Sequence, residues 1–134
     1  RCDAYGNAQM DGLPFMDIDI AMAANKVIMT TERIVSNDQI RREPDRTKIP
    51  FITVDAVVEG PYGCAPHECY GVYEPFLPNL DYYAELTRSD PVAGVKEYLE
   101  RFVHGPKNWN AYLTLLGMEN VIDATVRGRS VYND

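Results

Sequence analysis

Cys64, His67 and Cys69 fall within six residues, in the run Gly60-Pro-Tyr-Gly-Cys-Ala-Pro-His-Glu-Cys-Tyr-Gly71. Thiolates and an imidazole are zinc ligands, but a structural zinc site needs four donors, and only Cys2 or His104 could complete the set from far along the chain. No metal is therefore expected. A cysteine nucleophile with His67 as its base is the other covalent chemistry these residue types offer, yet no oxyanion-hole motif accompanies them. Two readings of the loop stay open. In the first it is a rigid connector, its glycines and prolines setting backbone geometry while Tyr62, Tyr70 and Tyr73 cover a core edge. In the second it follows the C-terminal end of a buried strand, where ligands of open α/β sheets collect, and presents His67, Glu68 and Tyr70 to a substrate or to a partner protein.

Other groups point less clearly to chemistry. Asp17 and Asp19, with Asp11 nearby, lack the spacing of a calcium loop, and residues two apart on a helix diverge, so Asp17 is expected to act as a helix cap. Arg41, Arg42, Arg46 and Lys48 could clamp a phosphate or carboxylate, but they read first as a solvated surface. No Gly-Lys-Ser phosphate loop is present, and no Gly-x-Gly-x-x-Gly follows a strand.

The elements that must position these residues can be read from periodicity and turn chemistry. Residues 3–7 form a turn and 8–11 a short strand, together a small hairpin. A short helix is expected over 18–25, with Ile18 and Met22 on its apolar stripe. Residues 26–34 read as a strand buried on both faces, 39–48 as an exposed connection and 51–58 as a second core strand interrupted by Asp55. Residues 60–71 cannot be regular structure. Asn79 is placed to cap a helix carrying Leu80, Tyr83 and Leu86. Asp90-Pro91 then supplies a cap and a first-turn proline for a helix with Val92, Val95, Leu99, Phe102 and Val103 on one face, ended by Gly105-Pro106. A further helix over 108–116 buries Trp109, Tyr112, Leu113 and Leu116 and stops at Gly117. One or two more helical turns follow over 118–125, and the tail from Arg127 is expected to fray. No linker or repeat divides the chain.

Composition bounds the partners. The 134 residues, 46% hydrophobic and 25% charged, suit one modest domain. A net charge of −7 repels phosphate backbones and anionic membranes, so neither nucleic acid nor membrane is an expected partner. The most apolar stretch, 18–29, is broken by Asp19, Asn25 and Lys26, well short of a membrane span. Three cysteines make no disulfide framework and point to a reducing cytoplasm. The chain opens on Arg1 in what reads as mid-element, as a piece of a larger structure would.

Three runs carry a resemblance. They are Asp17-Ile-Asp-Ile-Ala-Met-Ala-Ala-Asn-Lys-Val-Ile-Met-Thr-Thr-Glu-Arg-Ile-Val, Ile40-Arg-Arg-Glu-Pro-Asp-Arg-Thr-Lys-Ile-Pro, and Val54-Asp-Ala-Val-Val-Glu-Gly-Pro-Tyr-Gly-Cys-Ala-Pro-His-Glu-Cys-Tyr-Gly. Preceded by Asp3-Ala-Tyr-Gly-Asn, they resemble the A subunit of the family I CoA-transferases, the glutaconate CoA-transferase type, over residues 1–98. The resemblance implies an α/β fold with an open, largely parallel sheet flanked by helices (CoA-transferase/NagB-RpiA-like), of which this chain is the C-terminal half of an A subunit. It implies a B-subunit partner, in a homo- or hetero-oligomer, whose glutamate carries CoA as a thioester, so no catalytic residue is inherited here. Acyl-CoA and a carboxylic acid are the implied substrates, with no permanently bound cofactor. Residues 62–70 are implied to border the acyl-CoA pocket, with Tyr62, Gly63, His67, Glu68 and Tyr70 in contact with substrate. Relatives of the same fold that open rings in CoA thioesters of steroid degradation by hydrolysis, and a non-catalytic interaction domain, are the alternatives.

Overall fold

The computed structural model describes residues 1–130 and divides into two compact units, Arg1–Gly63 and a second beginning at Cys64. The division falls inside the glycine- and proline-rich loop.

The first unit starts with β1 (Cys2–Asp3) and β2 (Ala8–Gln9), joined by a tight turn. Asp3 organises that turn. Its Oδ1 accepts from the backbone N–H groups of Tyr5, Gly6 and Asn7 at 2.9–3.0 Å, and its Oδ2 accepts from the side-chain amides of Asn7 and Asn37, each at 2.8 Å. The residue is 0% exposed. Burial alone would raise the carboxyl pKa, but the amides of Asn37 and Asn7 and the turn N–H groups outweigh it and hold it below the usual carboxylate value. Gly6 is required beside it: φ is +105°, and a Cβ would meet Val54 Cβ at 2.8 Å.

β1 and β2 form the middle of a four-stranded sheet ordered β4–β1–β2–β5, with β4 (Ile34–Val35) parallel to β1 and β5 (Thr47–Ile49) antiparallel to β2. A separate two-stranded parallel pair joins β3 (Ile28–Thr31) to β6 (Ala56–Glu59), in register from Ile28↔Ala56 to Thr31↔Glu59. The strands expected around Val27 and Val54 are thus neighbours. Asp55, read as an interruption, starts their pairing: its carboxylate accepts from Val27 N at 2.9 Å and from Lys26 Nζ at 2.6 Å. Cys2, Ala8, Ala21 and Ile49 make the core of this unit, with Met29, Val54 and Val57 packed on it.

Several local expectations are corrected here. The strand read over 26–34 breaks at Glu32-Arg33, where Thr31 Oγ1 donates to Arg33 O at 3.2 Å, and its two halves enter different sheets. Burial on both faces fails because a two-stranded sheet has only edge strands; Ile28 is 69% exposed. The strand read over 51–58 begins late, after a 3₁₀ turn at Phe51–Thr53. The supposed connection 39–48 holds the end of α2 (Asn37–Arg41), a 3₁₀ turn at Pro44–Arg46 and β5. Ser36 Oγ caps α2 by accepting from Gln39 N, and Ile40 is buried. Asp17 caps nothing: α1 (Asp17–Ala23) begins with it, so its carboxylate and that of Asp19 lie in the first turn, where the helix dipole favours negative charge. Ala21 is buried in α1, while Met22 is exposed.

The second unit is helical after its opening loop: α3 (Leu77–Ser89), α4 (Pro91–Leu99) continuing into a π-helical turn at Glu100–His104, α5 (Trp109–Leu116) and α6 (Met118–Ser130). Asp90 Oδ1 caps α4, accepting from Val92 N at 3.1 Å and Ala93 N at 3.0 Å, as its spacing predicts. Asn108 caps α5 in the same way through Ala111 N at 2.9 Å, and Gly117 ends that helix at φ +87°. α3 and α4 touch backbone to backbone at Gly94, where a Cβ would lie 2.3 Å from Leu86 O. Tyr98 stacks on Phe102 along this seam, Tyr82 meets Phe102 and Tyr83 meets Tyr98 edge to face, and the Arg101 guanidinium lies 4.8 Å over the Tyr82 ring. Burial, and after it the neighbouring Tyr83, raises the Tyr98 pKa.

Corrections arise here too. Asn79 does not cap α3, which starts at Leu77; it is buried inside the helix with its Oδ1 unpaired. Of the face assigned to this helix, Phe102 is buried as expected, but Val92 and Val103 are exposed, and Gly94 is buried, because the close backbone approach at Gly94 decides which face turns inward. Trp109 is exposed while Leu116 is buried. α6 runs well past Thr125, and Arg127 is held within it by Asp123 at 2.8 Å and donates to Pro75 O at 2.9 Å. The remainder of the expected frayed tail, residues 131–134, lies outside the described residues.

Candidate functional site

The expected loop is irregular throughout, and each unit holds its own part of it. On the first unit, Tyr62 takes φ +63°, a left-handed conformation unusual for a residue with a side chain. Its N–H donates to Glu32 Oε2 at 2.8 Å. Gly63 N donates to Gly60 O at 2.9 Å, and a Cβ on Gly63 would meet that oxygen at 2.8 Å, so the turn closes only with glycine there. Tyr62 is half-buried and Gly63 exposed.

On the second unit, His67 N donates to Cys64 O at 3.0 Å, closing a turn that carries His67 and Glu68 outward; both are exposed. Tyr70 is 53% exposed. Tyr73 is the anchor. It is 1% exposed, its backbone exchanges two hydrogen bonds with Cys69 at 3.0 and 3.1 Å, and its hydroxyl accepts from Cys64 N at 3.0 Å. Tyr112 Oη donates to Ala65 O at 3.0 Å, and Phe76 N donates to Pro66 O at 2.9 Å. Burial, and after it Tyr98, raises the Tyr112 pKa, which keeps that hydroxyl a donor. The stretch of loop holding His67, Glu68 and Tyr70 is therefore a fixed backbone with polar side chains directed to solvent.

This arrangement suits binding and positioning. Cys2, considered above as a distant fourth zinc ligand, is fully buried in the core of the first unit, where burial and then the Asp3 charge push its thiol pKa up. Of the basic cluster read over 41–48, Arg46 is engaged with acids, pairing with Glu43 at 2.9 Å and with Asp11; Lys48 donates to Asp45 O at 3.3 Å, and Arg1, just before β1, also pairs with Glu43. Arg46 thus belongs to a surface network. A groove of about 370 Å³ between α3 and α4 is lined by Glu85, Asp90 and Glu97 along with Tyr82 and Ser89. Its negative charge opposes a polyphosphate ligand.

Two features escaped the sequence reading. The Asp3 carboxylate was legible only as a member of a turn, because its fifth donor, Asn37, lies 34 residues away. The proximity of Cys64 and Cys69, two free thiols whose sulfurs lie within 4.8 Å of each other, had a faint signal in their spacing.

No family model matches the chain. A curated protein of Archaeoglobus fulgidus described as uncharacterized is 43% identical over 117 residues, covering 87% of this chain and 26% of that protein. The A subunit of glutaconate CoA-transferase from Acidaminococcus fermentans is 36% identical over 121 residues, covering 90% of this chain and 37% of the relative. The crystal structure of glutaconate coenzyme A-transferase from Acidaminococcus fermentans superposes with a TM-score of 0.82 at 35% identity, over 92% of this chain and 38% of that one. The chain is homologous to a portion of the glutaconate CoA-transferase A subunit, and it spans between a quarter and two fifths of the length of these relatives.

Proposed function

We propose that this chain belongs to the A subunit of a CoA-transferase, and that it walls the acyl-CoA and acid site without supplying the nucleophile. A B subunit contributes the glutamate. CoA passes from the acyl-CoA to that carboxylate through an acyl anhydride and an enzyme-bound thioester, then to a second carboxylic acid, with no permanently bound cofactor and in the cytoplasm. The chain alone is inactive in this scheme. Its short, partly parallel strands are a segment of a larger open sheet. The observation that carries the reading is the structural match at 35% identity over 92% of the chain.

Within this reading the loop over 62–70 borders the acyl-CoA pocket. His67, Glu68 and Tyr70 shape the acid site through exposed polar groups, while Tyr62 and Gly63 set the turn that leads into it. The test is kinetic, on the chain reconstituted with its remaining A-subunit sequence and a B subunit. His67→Ala should lower kcat/KM by about 10- to 100-fold, the loss of one positioning contact, with enzyme-thioester formation retained. Unchanged kinetics for His67→Ala, Glu68→Ala and Tyr70→Phe alike would return the loop to a connector.

A further inference from the structure

We propose that Cys64 and Cys69 are a dithiol pair that closes reversibly to an intramolecular disulfide on reaction with small-molecule disulfides. The inference is independent of the transferase reading. Both are reduced thiols, Cys64 exposed and Cys69 half-buried, and their sulfurs lie within 4.8 Å of each other. A disulfide bond is about 2.05 Å long, so from 4.8 Å the sulfurs must close by no more than about 2.8 Å.

One residue sets both backbones. The main chain of Tyr73 holds Cys69 by two hydrogen bonds, and its hydroxyl holds Cys64 N. Ala65 and Pro66, between the cysteines, are tied down through Tyr112 and Phe76. The thiols are therefore held near each other by groups that do not depend on the sulfurs. The contrast is Cys2, fully buried and with its pKa raised, which is expected to stay inert.

The chemistry balances as thiol–disulfide exchange. One thiolate attacks a disulfide RSSR, forming a protein–SR bond and expelling RS⁻. The second thiolate attacks the protein sulfur, forming the Sγ–Sγ bond and expelling the second RS⁻. Two electrons pass from the dithiol to RSSR, and the two thiol protons end on the released thiols. His67 and Glu68 lie between the joined positions, so closure constrains the segment that presents them.

The folded 134-residue chain is to be incubated with oxidised glutathione over a range of reduced-to-oxidised ratios and read by intact mass and peptide mapping. The expected product is lighter by about 2 Da, carries a 64–69 cross-link, leaves Cys2 unmodified and reverts with dithiothreitol. Cys64→Ser and Cys69→Ser should each stop at a glutathione adduct on the remaining loop thiol. Tyr73→Phe, checked for its fold by circular dichroism, should accumulate several-fold more mixed disulfide before closing. Wild-type chain that stays reduced where the serine variants form adducts, or that gives only adducts or interchain links, would overturn the pair. Closure in Tyr73→Phe at the wild-type rate would overturn the role given to Tyr73.

Discussion

At the scale of single residues, Asp3 matters more to this fold than its sequence context suggests. A fully buried carboxylate is costly unless its lone pairs are satisfied, and five donors satisfy this one. Because its folded pKa lies below the unfolded value, its contribution is fully present above the unfolded pKa of about 3.9 and is lost as pH falls toward the folded value. Asp3→Asn should cost about 1–3 kcal/mol at neutral pH, since an amide NH₂ would face a donor. The same variant should flatten the fall in stability as pH drops below about 4. Urea titrations across that range check both, and an unchanged acid slope would show that another carboxylate governs it. The turn was legible from Gly6 and Asn7, but the donor from Asn37 was not, because a partner so distant leaves no mark in local spacing.

At the scale of elements, caps were legible at some helix ends and not at others: Asp17 and Asn79, read as caps, lie inside the helices they were to start. Asp90-Pro91 and Gly117 act where their types predict, while Asn108, read as the first helical residue, caps α5 instead. Which face is buried was read less well. The apolar period of α4 assigned Val92 and Val103 inward, whereas the contact is set by the absence of a side chain at Gly94, which a hydrophobic pattern does not register. Strand lengths were overestimated for a related reason: a run of β-branched residues shows propensity but not where the chain leaves one sheet for another. Two substitutions separate these effects. Asp90→Ala should cost about 1 kcal/mol through lost capping. Gly94→Val should cost on the order of 1–3 kcal/mol by forcing α3 and α4 apart. Chemical denaturation midpoints measure both, and a neutral Gly94→Val would mean that the two backbones do not meet there.

At the scale of the whole molecule, the first unit keeps large apolar side chains in water. Leu13, Phe15, Ile28 and Ile52 are among them, on the segment before α1, on β3 and in the turn before β6. Such a surface is costly for a finished monomer and natural for one built to be covered. Under the proposed function the cover is further A-subunit sequence and the B subunit. The chain is therefore expected to sediment as an oligomer, or as a heteromer when mixed with a B subunit from a neighbouring gene. A strict monomer that ignores such a partner would remove the subunit reading. Among the described residues no helix is long and apolar enough to cross a membrane, so these side chains do not mark a helical span.

The contact between Gly128 and Tyr73 limits how this sequence can drift. A Cβ at position 128 would lie 2.6 Å from Tyr73 Cα and 2.7 Å from its nitrogen, with backbone atoms that cannot swing aside. Tyr73 in turn carries both cysteines of the loop. Substitution at the far end of α6 is thereby coupled to the loop more than fifty positions upstream. Keeping this helix seated requires glycine at 128, whereas the exposed Val126 meets no such constraint.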